Sequence, residues 1–219
     1  MENNIIQSIK KEKIIVIVRG VSSDKLIPLA EAMYDGGIRL LEITYNADKK
    51  VTDEQTATNI GTLKNHFGEK MHIGAGTVLN EEQVVLTKKF GGEFIISPDA
   101  CESVIKKTKA LGMISMPGAF TPSEIAMAHN SGADFVKVFP VSALGTDYIK
   151  AVKAPLSHIN LLAVGGVNDG NMEEYFNAGV CGFGIGSNII DKKLLADNNY
   201  KGITELAKKY VSVIQRLAQ

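Results

Sequence analysis

Eight short apolar runs alternate with helical patterns along this sequence of 219 residues. Strands and helices that alternate in this way are typical of βαβ units and of a parallel sheet. The pattern predicts a short helix at about 5–11 and strands at 14–18, 38–44, 71–75, 93–96, 113–116, 135–140, 160–164 and 181–185. Helices are predicted at 23–34, 52–67, 81–90, 99–110, 122–130, 146–154, 168–178 and 202–217. We therefore expect an α/β fold, a (β/α)8 TIM barrel with a short N-terminal helix, and a doubly wound open sheet is the alternative.

Glycines before five of the strands support this count. Gly37, Gly92, Gly112, Gly132 and Gly179 each stand where the preceding helix should end. Glycine is favoured there because the left-handed backbone carries no Cβ penalty for it. No Pro/Ser-rich linker divides the chain, so residues 1–219 are predicted to form one barrel domain.

The composition argues against several classes of protein. Lys and Arg number 24, as do Asp and Glu, so the basic excess of a nucleic-acid-binding protein is missing. No apolar run is long enough to span a bilayer, and residues 1–13 lack the apolar segment of a signal peptide. The Cys and His residues show no metal-binding spacing. We expect a cytoplasmic protein with no metal, cofactor, nucleic-acid or membrane partner.

Lys137 is the most informative residue of the sixth predicted strand, FVKVFP. An apolar run of this kind is typical of a strand buried on both faces. An ammonium group there is unfavourable unless it is paired or its pKa falls, and a buried lysine with a lowered pKa is the usual amine of Schiff-base chemistry. The alternative is a lysine whose stem lies on apolar surface while its amine reaches water.

Two further charged residues lie near strand ends, where the active site of a parallel α/β fold is located. Glu42, near the end of the second strand, would be a buried acid suited to general acid–base catalysis. A structural ion pair, for instance with Arg39, is the alternative. Arg19 follows the first strand and could hold a carboxylate or phosphate with its planar guanidinium, or it is a solvated loop residue.

Small residues follow three other strands. Gly74-Ala75-Gly76-Thr77 allows close approach of the backbone to a ligand, and Thr77 offers a hydroxyl and an amide. Glycines also occur at Gly165-Gly166 and Gly186-Ser187, after the seventh and eighth strands. In barrels these two loops frequently bind phosphate through backbone N–H groups, although ordinary glycine turns would have the same sequences.

One barrel mouth would thus hold an amine, a carboxyl, an arginine, a threonine and a phosphate site. An amine can form an iminium with a keto group, and a carboxyl can move the protons of that reaction. Such chemistry requires no metal ion.

Taken together, the motifs resemble one enzyme family along nearly the whole chain. They are LEIT with Glu42, GAGTVLN at 74–80, FIISP at 94–98, MPG at 116–118, FVKVFP with Lys137, and the GGV and GIGS loops. The sequence is similar to the class I aldolases of 2-keto-3-deoxy-6-phosphogluconate (KDPG) and 2-keto-4-hydroxyglutarate (KHG). The resemblance implies a (β/α)8 barrel, usually a homotrimer, that releases pyruvate together with glyceraldehyde 3-phosphate or glyoxylate.

The resemblance also implies roles for individual residues. Lys137 matches the Schiff-base lysine and Glu42 the acid–base residue, while Thr77 matches a threonine that holds the substrate carboxylate. Pro98 and Phe139 match residues that line the pocket. The residues that match the phosphate site are Gly165, Gly166, Gly186 and Ser187.

Two positions depart from the pattern of the KDPG enzymes. The arginine that some members carry soon after the catalytic glutamate is replaced by Asn46, and Arg19 matches members with an arginine after the first strand. Val164 stands where the KDPG enzymes usually have threonine, as in relatives that act on the 4-epimer, 2-keto-3-deoxy-6-phosphogalactonate. Residues 142–145 also resemble those relatives.

The primary hypothesis is a class I aldolase, a carbon–carbon lyase, for KDPG and also for KHG. The galactonate-derived epimer is the alternative substrate. A non-covalent phosphate-binding barrel isomerase or synthase is a more distant alternative, and a sugar-phosphate sensor without activity is a non-enzymatic one.

Overall fold

A computed structural model describes residues 4–48 and 50–217 of the chain. Within these ranges nine short strands form one parallel sheet. The strands are β1 (Ile14–Val18), β2 (Leu40–Thr44), β3 (His72–Gly76), β4 (Phe94–Ile96), β5 (Ile114–Met116), β6 (Gly118–Ala119), β7 (Val136–Val138), β8 (Leu161–Val164) and β9 (Gly182–Ile185).

The nine strands occupy eight positions of an almost closed barrel. The sheet order is β5-β4-β3-β2-β1-β9-β8-β7-β6, so its two ends, β5 and β6, are separated in the chain by Pro117 alone. Proline has no N–H to donate to a sheet ladder, which explains why the strand predicted at 113–116 ends there and β6 follows as a separate strand that was not predicted. The Pro117 carbonyl still accepts a hydrogen bond from the Lys137 amide at 2.8 Å. The predicted α/β TIM-barrel fold is confirmed.

The helices are α1 (Asn4–Glu12), α2 (Ser23–Asp35), α3 (Asp53–Phe67), α4 (Glu81–Lys89), α5 (Glu102–Ala110), α6 (Pro122–Asn130), α7 (Gly145–Lys153), α8 (Met172–Asn177), α9 (Lys192–Ala196) and α10 (Tyr200–Leu217). Helices α2 to α9 each follow a strand, whereas α1 precedes the first strand and α10 follows α9. Capping boxes fix the first turns of α3, through Thr52 and Gln55, and of α6, through Thr121 and Glu124, as their sequences favour. No helix in the part of the chain that the structure describes is long and apolar enough to cross a membrane.

Two helices differ from the sequence prediction. The helix predicted from 168 begins only at Met172, because Asn168 Oδ1 accepts the Gly170 amide and Asn171 Oδ1 accepts the Asn168 amide, each at 2.8 Å. Such local side-chain bonds compete with helix formation. The short helix α9 was not predicted. It begins after Asp191, whose carboxylate accepts the Leu194 amide at 2.8 Å.

Glycine backbone angles correct one of the five predicted helix ends. Gly37, Gly112, Gly132 and Gly179 have φ values of +96°, +70°, +104° and +112°, as expected at a C′ position. After α4, however, the left-handed residue is Gly91, with φ of +82°, and not Gly92. The helix therefore ends one residue earlier than the glycine pattern indicated.

The helix α1 covers the N-terminal end of the barrel. Its fully buried Ile9 belongs to an apolar cluster that fills the interior, with Ile15, Leu40, Phe94 and Phe135. The opposite end, where the strands finish, carries polar and charged residues instead. The chemistry predicted from the sequence is therefore restricted to the C-terminal end.

Candidate active site

The structure places all the residues predicted for the site at the C-terminal ends of the strands. Glu42 and Lys137 lie on β2 and β7, and Val164 is the last residue of β8. The remaining residues stand in the loops that follow the strands. They are Arg19 after β1, Thr77 after β3, Pro98 after β4, Phe139 after β7, Gly165 and Gly166 after β8, and Gly186 and Ser187 after β9.

Lys137 is buried, with only 7% of its surface exposed. Its Nζ lies 4.6 Å from the centre of the Phe139 ring. Burial lowers the pKa of its amine and the Arg19 cation adds to this effect, whereas Glu42 and Asp99 oppose it. A lowered pKa increases the fraction of neutral, nucleophilic amine.

Glu42 is buried more completely, at 2% exposure. Burial raises the pKa of its carboxyl to about 7, although the nearby Lys137 and Arg19 cations act in the opposite direction. Its Oε2 atom has no hydrogen-bond partner among the described residues. The alternative of an ion pair with Arg39 is wrong, because Arg39 donates to the carbonyls of Tyr34 and Ile38 at 2.8 Å each.

Arg19 and Thr77 form one polar contact although they are 58 residues apart in sequence. Arg19 Nη2 donates to Thr77 Oγ1 at 2.8 Å. Thr77 has a φ of +55°, which is uncommon for a residue other than glycine and typical of constrained loops near functional sites. Together the two side chains offer a guanidinium and a hydroxyl beside Glu42.

A cavity of about 910 Å³ opens at this end of the barrel. Its lining includes Arg19, Phe139 and Val164, and also both glycine loops, at Gly165-Gly166 and Gly186-Ser187. Gly165 and Gly166 have φ values of +90° and +86°, so both need the freedom of glycine.

The other predicted residues adjoin this cavity and do not line it. Lys137 contacts the lining residue Phe139, and Thr77 accepts a hydrogen bond from the lining residue Arg19. Pro98 is only partly buried, and its backbone leaves no room for a Cβ at Gly118. The structure thus gathers the amine, the carboxyl, the arginine and both loops at one mouth, with Pro98 at its edge.

Two lysines in the cavity wall were missed by the sequence analysis. Lys25, on α2, donates to the carbonyls of Leu195 at 2.9 Å and Ala196 at 3.4 Å, and Lys192 is the first residue of α9. Both line the cavity. The only signal for Lys192 is its position five residues after the loop at Ser187.

In the described ranges, 4–48 and 50–217, no group of three or more His, Cys, Asp or Glu residues is arranged to hold a metal ion.

Comparison with known families gives one match over most of the chain. The model of the family described as KDPG and KHG aldolase matches residues 5–206. The 2-dehydro-3-deoxy-6-phosphogalactonate aldolase of Escherichia coli K12 is 34% identical over 206 residues, which cover 94% of this chain and 98% of that protein. The 2-dehydro-3-deoxy-phosphogluconate aldolase of Haemophilus influenzae is 31% identical over 215 residues, with 96% and 97% covered.

Solved structures agree with these relatives. A structure described as native KDPGal superimposes with a TM-score of 0.84 at 34% identity, covering 94% of this chain and 96% of the other. The KDPG aldolase of Legionella pneumophila, described with pyruvate captured at low pH as a covalent carbinolamine, gives a TM-score of 0.84 at 27% identity, covering 95% and 98%.

The barrel fold, the residues gathered at its C-terminal end and the named relatives together define the class of this protein, a carbon–carbon lyase of the aldolase type. The chain belongs to the KDPG and KHG aldolase family.

Proposed function

We propose that this protein is a class I aldolase that cleaves KDPG to pyruvate and glyceraldehyde 3-phosphate. KHG, cleaved to pyruvate and glyoxylate, is proposed as a further substrate. The observation that carries the proposal is the burial of Lys137 and Glu42 at one barrel mouth, which shifts their pKa values in opposite directions. Opposed shifts of two neighbouring groups are a mark of acid–base assignment.

In the first step the neutral Lys137 amine attacks the C2 carbonyl of the keto acid. A carbinolamine forms, and its hydroxyl leaves as water when the Glu42 carboxyl supplies a proton. The product is an iminium that links Nζ to C2. A pKa of about 7 for Glu42 makes both of its protonation states available near neutral pH, as a group that alternates between acid and base requires.

In the second step the iminium accepts the electron pair of the C3–C4 bond. The Glu42 carboxylate takes the proton of the C4 hydroxyl, and the aldehyde leaves. Glu42 then returns a proton to C3 of the enamine, and water hydrolyses the resulting iminium to pyruvate and the free amine. Every proton transfer stays within one carboxyl group and water, so the scheme requires no cofactor.

The remaining residues would position the substrate. Arg19 and Thr77 together would hold the C1 carboxylate, because a guanidinium binds carboxylates through paired hydrogen bonds. The glycine loops at Gly165-Gly166 and Gly186-Ser187 would bind the phosphate through backbone N–H groups. Phe139, Pro98 and Val164 would form the walls between these two ends.

Val164 supports a second candidate, the galactonate-derived epimer. Its side chain lines the cavity and is 5% exposed, and it has no hydroxyl with which to select the C4 configuration. The relative from Escherichia coli bears the name of that activity. The release of pyruvate can be measured in a coupled lactate dehydrogenase assay. Rates for both epimers and for KHG, measured with one enzyme preparation, compare the three substrates directly.

We also propose a cytoplasmic homotrimer, on the basis of the family resemblance. Sedimentation equilibrium would give three times the mass of the chain, whereas the mass of a monomer or dimer would overturn the trimer.

Trapping with borohydride tests the covalent step. Borohydride added in the presence of pyruvate should reduce the iminium and leave a stable mass adduct on Lys137. Lys137→Met should give no adduct, and Lys109→Met, which removes a lysine bound to Asp134, should react like the wild type. An unmodified Lys137 in an enzyme that still cleaves KDPG would favour the non-covalent alternative.

A further inference from the structure

The charge of the cavity wall is uniform in sign. Its lining contains three cations, Arg19, Lys25 and Lys192, and no Asp or Glu among the described residues. A cavity lined by one sign of charge concentrates ligands of the opposite sign. The ligand that suits this wall is therefore a small polyanion.

The three cations are distributed along the cavity. Arg19, although exposed, lies beside Thr77, to which it donates, and near Glu42. Lys25 and Lys192 belong to the outer wall, where α2 and α9 meet. KDPG has a matching division of charge, with a carboxylate at C1 and a phosphate at C6.

Lys25 is fixed in this wall by its two hydrogen bonds to the carbonyls of Leu195 and Ala196. An ammonium group has three N–H donors, so one remains for a ligand. Lys25 is half-buried, and among the described residues no carboxylate forms an ion pair with it. Its charge is therefore not neutralised by a direct ion pair in the cavity wall.

The side-chain amine of Lys192 has no hydrogen-bond or ion-pair partner in the described part of the chain. The adjacent Asp191 does not neutralise it, since the Asp191 carboxylate accepts the Leu194 amide and does not line the cavity. Asp24, next to Lys25 in sequence, is outside the lining as well. The cavity lining itself therefore presents no carboxylate to an incoming anion, although Asp24 is near enough to Lys25 to interact electrostatically with that cation.

We propose that Lys25 and Lys192 supply the counter-charge for the terminal phosphate and make this enzyme selective for phosphorylated over unphosphorylated keto acids. This inference rests on the proposed aldolase function. Neutral N–H groups of the glycine loops define the position of the phosphate, and the two lysines neutralise its charge. Lys192 follows the loop at Gly186-Ser187 in sequence, so its position relative to that loop is set by a short segment.

The test compares Lys192→Gln with Lys193→Gln. The two lysines are adjacent and both exposed, but only Lys192 lines the cavity, so the two variants lose the same formal charge at different places. Lys192→Gln should lower kcat/KM for KDPG by about 10-fold, mainly through KM, as expected for a lost charge-assisted hydrogen bond. Cleavage of unphosphorylated 2-keto-3-deoxygluconate should not change.

Two further measurements separate binding from folding. Inorganic phosphate should inhibit the wild type competitively, and its inhibition constant should rise about 10-fold in Lys192→Gln and recover in Lys192→Arg. Lys25→Met should show the same loss of phosphate inhibition, with circular dichroism to confirm that the fold persists.

Trapping with pyruvate and borohydride distinguishes the two proposals, because pyruvate carries no phosphate. If the wild type forms no adduct, the aldolase proposal fails. If it forms the adduct but Lys192→Gln behaves like Lys193→Gln towards KDPG and inorganic phosphate, the phosphate proposal is overturned and the aldolase proposal stands.

Discussion

Glu42 is an acid in an apolar interior, and its burial bears on stability as well as on the catalysis proposed above. Its pKa is about 7 in the folded chain against an ordinary value of 4.5. Below pH 4.5 both folded and unfolded chains keep the proton, so this residue contributes nothing there. Between pH 4.5 and 7 the unfolded chain releases the proton first, and the folded state becomes relatively less stable as the pH rises.

We expect Glu42→Gln to remove this pH dependence. The free energy of unfolding of the variant, relative to wild type, should increase between pH 4.5 and 7 by roughly 3 kcal/mol. Urea denaturation at several pH values measures it. Parallel curves for the two proteins across this range would contradict the raised pKa. The same variant should lose about 10²- to 10⁴-fold in KDPG cleavage, the usual contribution of acid–base catalysis.

Gly76 is the residue that leaves space for the Glu42 carboxyl. A Cβ at this position would collide with the Glu42 side chain, while the backbone of Gly76 lies outside the left-handed region and accepts alanine. Gly76→Ala should therefore displace the carboxyl and lower KDPG cleavage by about 10²-fold.

Gly74→Ala provides the matched control on the same strand. Its added methyl would collide with the Phe94 ring instead, and overpacking of this kind destabilises by about 1–3 kcal/mol. The rate of KDPG cleavage and the free energy of unfolding are measured for both variants. If the two variants lose the same activity for the same loss of stability, Gly76 serves packing alone.

At the level of elements, α1 is attached to the barrel by a buried polar chain as well as by apolar contacts. Ser8 Oγ lies 3.0 Å from His72 Nε2, and His72 Nδ1 lies 3.1 Å from Glu93 Oε1. Glu93 Oε2 also pairs with Lys64 at 3.1 Å. The side chain of His72 is 8% exposed, whereas Ser8 is half-buried.

Ser8→Ala should consequently destabilise the protein by about 1–3 kcal/mol, since it leaves a buried ring nitrogen without a partner. Hydrogen exchange should show earlier opening of α1 than of the barrel strands. Ser212→Ala, which removes an exposed hydroxyl bound to the Lys209 carbonyl, is the control. An unchanged free energy of unfolding for Ser8→Ala would exclude this role for the hydroxyl.

The elements that could be predicted are those with strong local signals. The strands were found because buried parallel strands are continuous apolar runs, and the predicted start of α6 at Pro122 agrees with the structure, where Thr121 and Glu124 form a capping box. The missed features depend on single contacts. The helix α9 has five residues and little room for apolar periodicity, and the turn at 168–171 depends on two asparagine side chains.

For the whole molecule, the sequence indicated which residues meet at the mouth, because parallel strands bring their ends together. Lys137 and Glu42 are both buried there, as expected. The charge of the cavity was not predictable in the same way. Lys25 and Lys192 come from helices 167 positions apart, and nothing local distinguishes them from surface lysines.

The closed N-terminal end of the barrel has a kinetic consequence. With α1 beneath the apolar interior, the described residues leave the C-terminal end, which carries the glycine loops, as the approach to Lys137. In the proposed mechanism the pyruvyl group stays attached to that amine after the C3–C4 bond breaks. The mechanism therefore predicts that the aldehyde departs before pyruvate, and that pyruvate binds before the aldehyde in the reverse condensation.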